Sequence, residues 1–228
     1  MSGSMFGQDR LVLDLLGGQR GGFFLDSGAS DGVRGSNTWR LERDYGWQGI
    51  CVEPDDAFFA ALRRNRRSQC VQCCLYDRDG EVDFVPAEVL GGIFDEYHPQ
   101  LLRQARHSYA DAFDAAGRPQ LLRRPARTAA AVLRACKAPP VIDYWSLDTE
   151  GSELAILRSF PFDQYRVRVL TVEHNHFPVR AQIRALLESQ GYRWVAALAV
   201  DDCYVKDVPL PARNWRSPVW RRGSRALI

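Results

Sequence analysis

FFLDSGASDGVRGSNTWRLERDYGWQGICVEPD, residues 23–55, is the stretch from which the rest of the chain can be read. Phe23, Phe24 and Leu25 make a short apolar run between Gly21-Gly22 and a loop of small residues, the pattern of a strand buried on both faces of a sheet. The loop, Asp26 to Gly32, carries Gly28 and Gly32, which permit a tight turn and close approach of backbone to a ligand. Ser36 or Asn37 can cap a short helix running to Tyr45, with Gly46 as its terminator. A second apolar strand, 49–52, ends in Glu53-Pro54. Glu53 lies about 20 residues beyond the glycine loop, the separation at which a carboxylate takes the ribose hydroxyls of a bound nucleoside.

The glycine pattern narrows the cofactor. Dinucleotide sites use G-x-G-x-x-G to seat a pyrophosphate on a helix N-terminus. The loop D-S-G-A-S-D-G does not match that spacing and carries two carboxylates, Asp26 and Asp31. They would repel a pyrophosphate and attract a cofactor bearing an amino group and a sulfonium. S-adenosylmethionine is such a cofactor.

With these residues in view, the chain resembles the FkbM-type S-adenosylmethionine-dependent methyltransferases. The resemblance is carried by GQD (7–9), FFLDSGASDG (23–32), SNTWRLERDYGW (36–47), GICVEPD (49–55), VIDYWSLDTEGSE (141–153), VLTVEHN (169–175) and DDCYVKD (201–207). It implies an α/β, Rossmann-like class I methyltransferase fold and methyl transfer to oxygen, commonly on a sugar, glycan or secondary metabolite. It also implies that Asp26, Gly28, Asp31 and Glu53 line the cofactor. Asn37 and Thr38 are candidates for its amino-acid end, because the SNT motif opens the neighbouring helix.

Composition sets the outer bounds. A chain of 228 residues can bury roughly 70% of its unfolded surface, so a single domain over 1–228 is expected. The net charge of +2 gives no field that would recruit nucleic acid, and none is expected as a partner. MSGSMFGQDR lacks the basic start and apolar run of a signal peptide, and no run approaches a membrane span. The six cysteines, at 51, 70, 73, 74, 136 and 203, then read as free thiols of a soluble cytoplasmic protein.

Outside the opening motif the pattern alternates strand and helix. Leu11 to Leu16 reads as a helix, and Asp55 caps another whose apolar face is Phe58, Phe59 and Leu62. Arg63, Arg64, Arg66 and Arg67 at its end read as a solvated cationic face. Residues 69–76, QCVQCCLY, read as the third strand, with Leu75 and Tyr76 as walls of the adenine pocket. Their C-x-x-C has no second ligand pair and does not make a zinc site. Asp79-Gly80 is a hairpin signal into 81–84. Residues 86–127 have little periodicity and are expected to form a helical lid over the acceptor pocket. Residues 128–136 return to helix, and 141–147 and 167–172 are the fourth and fifth strands. A helix opened by Pro178 and stopped by Gly191 follows. Strands at 192–200 and 203–205 close the chain, joined at Asp201-Asp202. The sum is a seven-stranded, mostly parallel sheet with a terminal antiparallel strand. Residues 211–228 form a basic C-terminal extension.

Ligands of such sheets bind beyond the carboxyl ends of the strands, which aligns Asp26, Glu53, Asp148 and Glu173, with Glu150, His174 and Asn175 close by. An alcohol is a weak nucleophile at neutral pH and needs a base or a metal. In one route Asp148 or His174 removes the proton. In the other, Asp148, Glu173 and Asn175 hold a magnesium-type ion. The metal-free route is the one expected, with magnesium as the less favoured alternative and no metal ligand assigned. Asp148 and Glu150 can instead cap the following helix, and His174 can be a packed core histidine. The contrasting reading of the whole chain is a catalytically inactive methyltransferase fold that serves as a binding or scaffolding module.

Overall fold

The structure, a computed structural model, describes residues 3–209. Apart from a two-residue parallel pair, Gly3–Ser4 with Arg34–Gly35, its strands are β1 (Phe23–Ser27), β2 (Gln48–Val52), β3 (Gln69–Val71), β4 (Cys74–Tyr76), β5 (Gly80–Val85), β6 (Gly92–Ile93), β7 (Leu122–Thr128), β8 (Val141–Leu147), β9 (Arg166–Glu173), β10 (Arg193–Leu198) and β11 (Asp201–Val205). Its α-helices are α1 (Gln8–Leu15), α2 (Trp39–Tyr45), α3 (Asp56–Asn65), α4 (Pro99–Ser108), α5 (Ala129–Ala135), α6 (Glu153–Ser159) and α7 (Val179–Ser189). The principal sheet has seven strands in the order β10-β11-β9-β8-β1-β2-β3. β3, β2, β1, β8 and β9 are mutually parallel, whereas β11 runs antiparallel to both of its neighbours. This is the expected α/β sheet with its single reversed strand.

Adjacent residues of the central strands go to opposite faces. Leu25, Ile50 and Trp145 join one core cluster, while Phe24, Cys51 and Tyr144 join the other. That is why these strands are apolar at nearly every position. Each large side chain so buried contributes about 1.5–3 kcal/mol. The caps act as local chemistry requires. Asp55 accepts from the amides of Ala57 and Phe58 at the start of α3. Ser36 Oγ accepts from the amides of Thr38 and Trp39 before α2. Gly46, in left-handed backbone with φ 70°, ends α2.

Four details differ from the sequence reading. Residues 69–76 are not one strand: β3 ends at Val71, and β4 belongs to a second sheet of order β4-β7-β5-β6. Asp79-Gly80 does not close a hairpin, because β7 inserts between β4 and β5. The region 86–127 is not all helical: β6, β7 and short 3-10 turns accompany α4. The closing strands turn at Ala199-Val200, and Asp201 and Asp202 lie within β11. All six cysteines are free. The basic extension at 211–228 lies outside the described residues, among which no helix is long and apolar enough to cross a membrane.

Candidate active site

The order of strands reverses between β1 and β8, where Asp26 pairs with Ser146 and Ser27 with Leu147. In open α/β sheets the crevice beyond this point is where ligands bind. A cavity of about 580 Å³ opens there, within the range of small-molecule sites. Asp26, Gly28, Asp31, Asn37, Glu53, Leu75, Asp148, Glu150, Glu173 and Asn175 all line it. Thus ten of the thirteen residues picked from sequence meet around one space.

The other three do not line it. Thr38 lies behind Asp26, donating its hydroxyl to Asp26 Oδ2 at 2.5 Å. Tyr76 is buried in the second sheet, with its hydroxyl on Glu96 Oε1 at 2.6 Å. His174 follows Glu173 in chain, and successive side chains at a strand end point to opposite sides. Its Nδ1 accepts from the amide of His176, and its Nε2 lies 3.8 Å from Asp202. Burial drives its pKa down to about 4 against the opposing charge of Asp202. The histidine is buried and does not line the cavity.

The glycine loop is held by its neighbours. Both Gly28 and Ala29 donate their amides to Val52 O at 3.0 Å. Gly28 also makes room for protein: a Cβ there would sit 1.8 Å from the carbonyl oxygen of Asp148. Glu53 turns back to this loop. Its Oε2 accepts from the amide of Ser30 and its Oε1 from that of Asp55, both at 2.8 Å. Burial still lifts its pKa to about 7, with the two amides pulling the other way. Asn37 Nδ2 donates to Ser146 Oγ at 2.9 Å, while its buried Oδ1 has no partner.

The loop acids are less free than the sequence suggests. Burial raises Asp26, but Arg66, 3.8 Å away, works against that rise. Arg66 is not part of a solvated face. It is 6% exposed and also reaches Glu42, Gly32 O, Ser36 and Thr38. Asp31 pairs with Arg34 at 2.7 Å, and despite burial its carboxyl is held below the usual range by that side chain and two amides. Selection against a pyrophosphate by these two charges is therefore weaker than expected.

The opposite rim is strongly acidic. Asp148 follows β8, Glu150 sits on the next turn with φ 58°, and Glu173 ends β9. One carboxylate oxygen of each lies within 4.8 Å of the others. Burial, then the charge of Asp201, pushes Asp148 up to about 8. Burial, then the charge of Asp148, pushes Glu150 and Glu173 well above the ordinary carboxylate range. Asp201 and Gln8 complete the rim, Gln8 donating to Asp201 Oδ2 at 2.7 Å. Neither had been singled out as a site residue, although GQD and DDC stand in the motifs. The fourth wall comes from the 86–127 region: residues 88–93, Leu101 and Gln104 line the cavity.

Comparison with known proteins places these features in a family. A family profile described as "Methyltransferase FkbM domain" matches residues 26–194. No curated protein matches the chain in sequence. Similar solved structures include precorrin-6y C5,15-methyltransferase from Geobacter metallireducens GS-15, with 10% identity, coverage of 87% of this chain and 86% of that one, and a TM-score of 0.48. A methyltransferase FkbM from Methylobacillus flagellatus KT shares 13% identity over 82% of this chain, with a TM-score of 0.46, and this chain spans 44% of it. The catalytic domain of hMettl16 in complex with MAT2A 3'UTR hairpin 6 shares 15% identity over 89% of this chain and 71% of that one, with a TM-score of 0.42. The expectation of no nucleic-acid partner finds no support in these comparisons.

Proposed function

Because the chain belongs to the FkbM methyltransferase family, we propose that it transfers a methyl group from S-adenosylmethionine to a hydroxyl of a sugar, glycan or secondary metabolite. The observation that carries this reading is the meeting, in one cavity, of the Glu53 carboxylate and the trio Asp148, Glu150 and Glu173. The cavity residues fit the cofactor. Glu53 presents a carboxylate for the ribose hydroxyls, and the unpartnered Asn37 Oδ1 awaits a donor such as an ammonium group. Leu75 offers an apolar surface for the base. Bound there, S-adenosylmethionine would supply an electrophilic methyl carbon with a neutral thioether as its leaving group.

The chain's own part is to position the acceptor and manage one proton. Holding the acceptor oxygen within about 3–3.5 Å of the carbon can supply roughly 7–11 kcal/mol. Asp148, its pKa pushed up by burial to about 8, is suited to receive the hydroxyl proton, and general-base help is worth about 10²–10⁴-fold. The wall formed by Val89, Leu90, Ile93 and Leu101 favours an acceptor with an apolar portion, and gives the 86–127 region its role in shaping the acceptor pocket.

Calorimetric titration with S-adenosylhomocysteine tests the cofactor half, with a 1:1 complex expected. Absence of binding at millimolar ligand would favour the scaffolding module. Mass spectrometry of candidate glycans, metabolites and RNA incubated with cofactor tests the acceptor half. Gain of one methyl on a hydroxyl compound is expected, and methylation confined to RNA would overturn the acceptor class.

A further inference from the structure

We propose that Asp148, Glu150 and Glu173 form a binding site for a divalent cation of the magnesium or manganese type, open to the cavity. Three carboxyl groups within 4.8 Å of one another cannot all ionise in a low-dielectric setting unless something positive stands between them. Among the other described residues, buried carboxylates are ion-paired or hydrogen-bonded. Asp26 has Arg66 and Thr38. Asp202 has Arg180 on both oxygens at 2.7 Å. Glu153 accepts from the amides of Thr149 and Gly151, and Asp201 from Gln8.

The trio is different. Among the described residues no lysine, arginine or histidine pairs with any of the three. Asp148 and Glu173 hydrogen-bond each other, and among the described residues the one hydrogen bond from outside is donated by the Asn175 side chain to Glu150 Oε2, at 3.4 Å. Glu173, only 7% exposed, leaves Oε2 buried with no partner at all. A buried polar oxygen without a partner is unfavourable, and a cation among the three would supply one.

The donor set selects the ion. Hard carboxylate oxygens without cysteine or histidine suit magnesium, manganese or calcium rather than zinc or copper. All three residues and Asn175 face the cavity, so positions on the ion stay open to water or to acceptor oxygen. A hydroxyl bound there becomes more acidic. This deepens the proposed methyl transfer, resting on it for the ion's chemical use: the ion would acidify the acceptor hydroxyl, its proton would leave to water in the open cavity, and Asp148 would serve as ligand in place of base. Binding of the ion itself is independent of that reaction.

The test is titration of the cofactor-free protein with manganese, read by electron paramagnetic resonance and by thermal unfolding, alongside Glu173→Gln and Glu150→Gln. One ion per wild-type chain is expected, with affinity weakened at least tenfold in each variant. Metal-free E173Q should unfold at or above the temperature of metal-free wild type, because a neutral amide replaces a carboxyl whose ionised form burial and its acidic neighbours disfavour, which also shows that the variant folds. Wild type that binds no manganese at millimolar ion, or variants that bind as well as wild type, would overturn the site. S-adenosylhomocysteine titrated in the presence of a chelator reports separately on the methyltransferase reading: its failure there, with manganese binding intact, removes the reaction and leaves the ion site.

Discussion

A Cβ on Gly28 would stand 1.8 Å from the carbonyl oxygen of Asp148, so the glycine loop and the acidic rim are in contact through backbone alone. The glycine loop after β1 and the turn after β8 thereby lie in van der Waals contact, backbone against backbone.

Gly28→Ala is therefore expected to damage both halves of the site. The left-handed φ of 78° costs a residue with a Cβ about 1–2 kcal/mol, and the collision adds more, giving about 3 kcal/mol in all. For a chain of this size that lowers the unfolding midpoint by roughly 6–12 °C. Gly46→Ala is the control: its φ is 70°, but nothing lies within 4 Å of the added atom, so only the φ cost remains. Equal losses in the two variants, measured by calorimetric unfolding, would show that the Asp148 contact is dispensable.

Arg66 is expected to be among the most sensitive charged positions. Its guanidinium lies 3.2 Å from Glu42 and 3.8 Å from Asp26, with no exposed side-chain surface. Removing one partner of a buried ion pair costs about 3–5 kcal/mol, because the other charge stays behind unpaired. Arg66→Met should lose that much in urea unfolding, and Arg66→Lys should recover only part of it, lacking the planar fork. A loss below about 1 kcal/mol would return Arg66 to the solvated face that sequence suggests.

How far each feature can be read from sequence follows from how local its cause is. β8 was legible to the residue, since an apolar run between Pro139-Pro140 and Asp148 permits little else. The Asp55 cap and the Gly46 stop are set within four residues of themselves. β7 was missed because LRRPART has no strand pattern of its own. It is a strand through its neighbours: it pairs with β4 and β5, and Arg123 bridges Glu81 and Asp83. Arg66 was misread for a similar reason, its carboxylates coming from β1 and α2. Asp201 reaches the rim only because β11 places it opposite Glu173. Local chemistry predicted the elements, whereas the pairing of distant strands decided which charges were buried together.

Glu53 gives the protein a pH dependence of definite sign. Its folded pKa is about 7 against an ordinary 4.5, so between those values the folded chain keeps a proton that the unfolded chain releases. Its stabilising contribution is full below about pH 4.5 and is lost as pH rises through about 7. Ribose hydroxyls donating to Glu53 favour the carboxylate instead, so cofactor binding must expel the proton. Affinity for S-adenosylhomocysteine is therefore expected to rise with pH by up to about tenfold per unit below pH 7, then to level off. Calorimetry in two buffers of different ionisation enthalpy measures the proton directly: release is expected near pH 6 in wild type and none in Glu53→Gln. Binding that takes up a proton there, or ignores pH altogether, would mean that Glu53 does not hold the ribose.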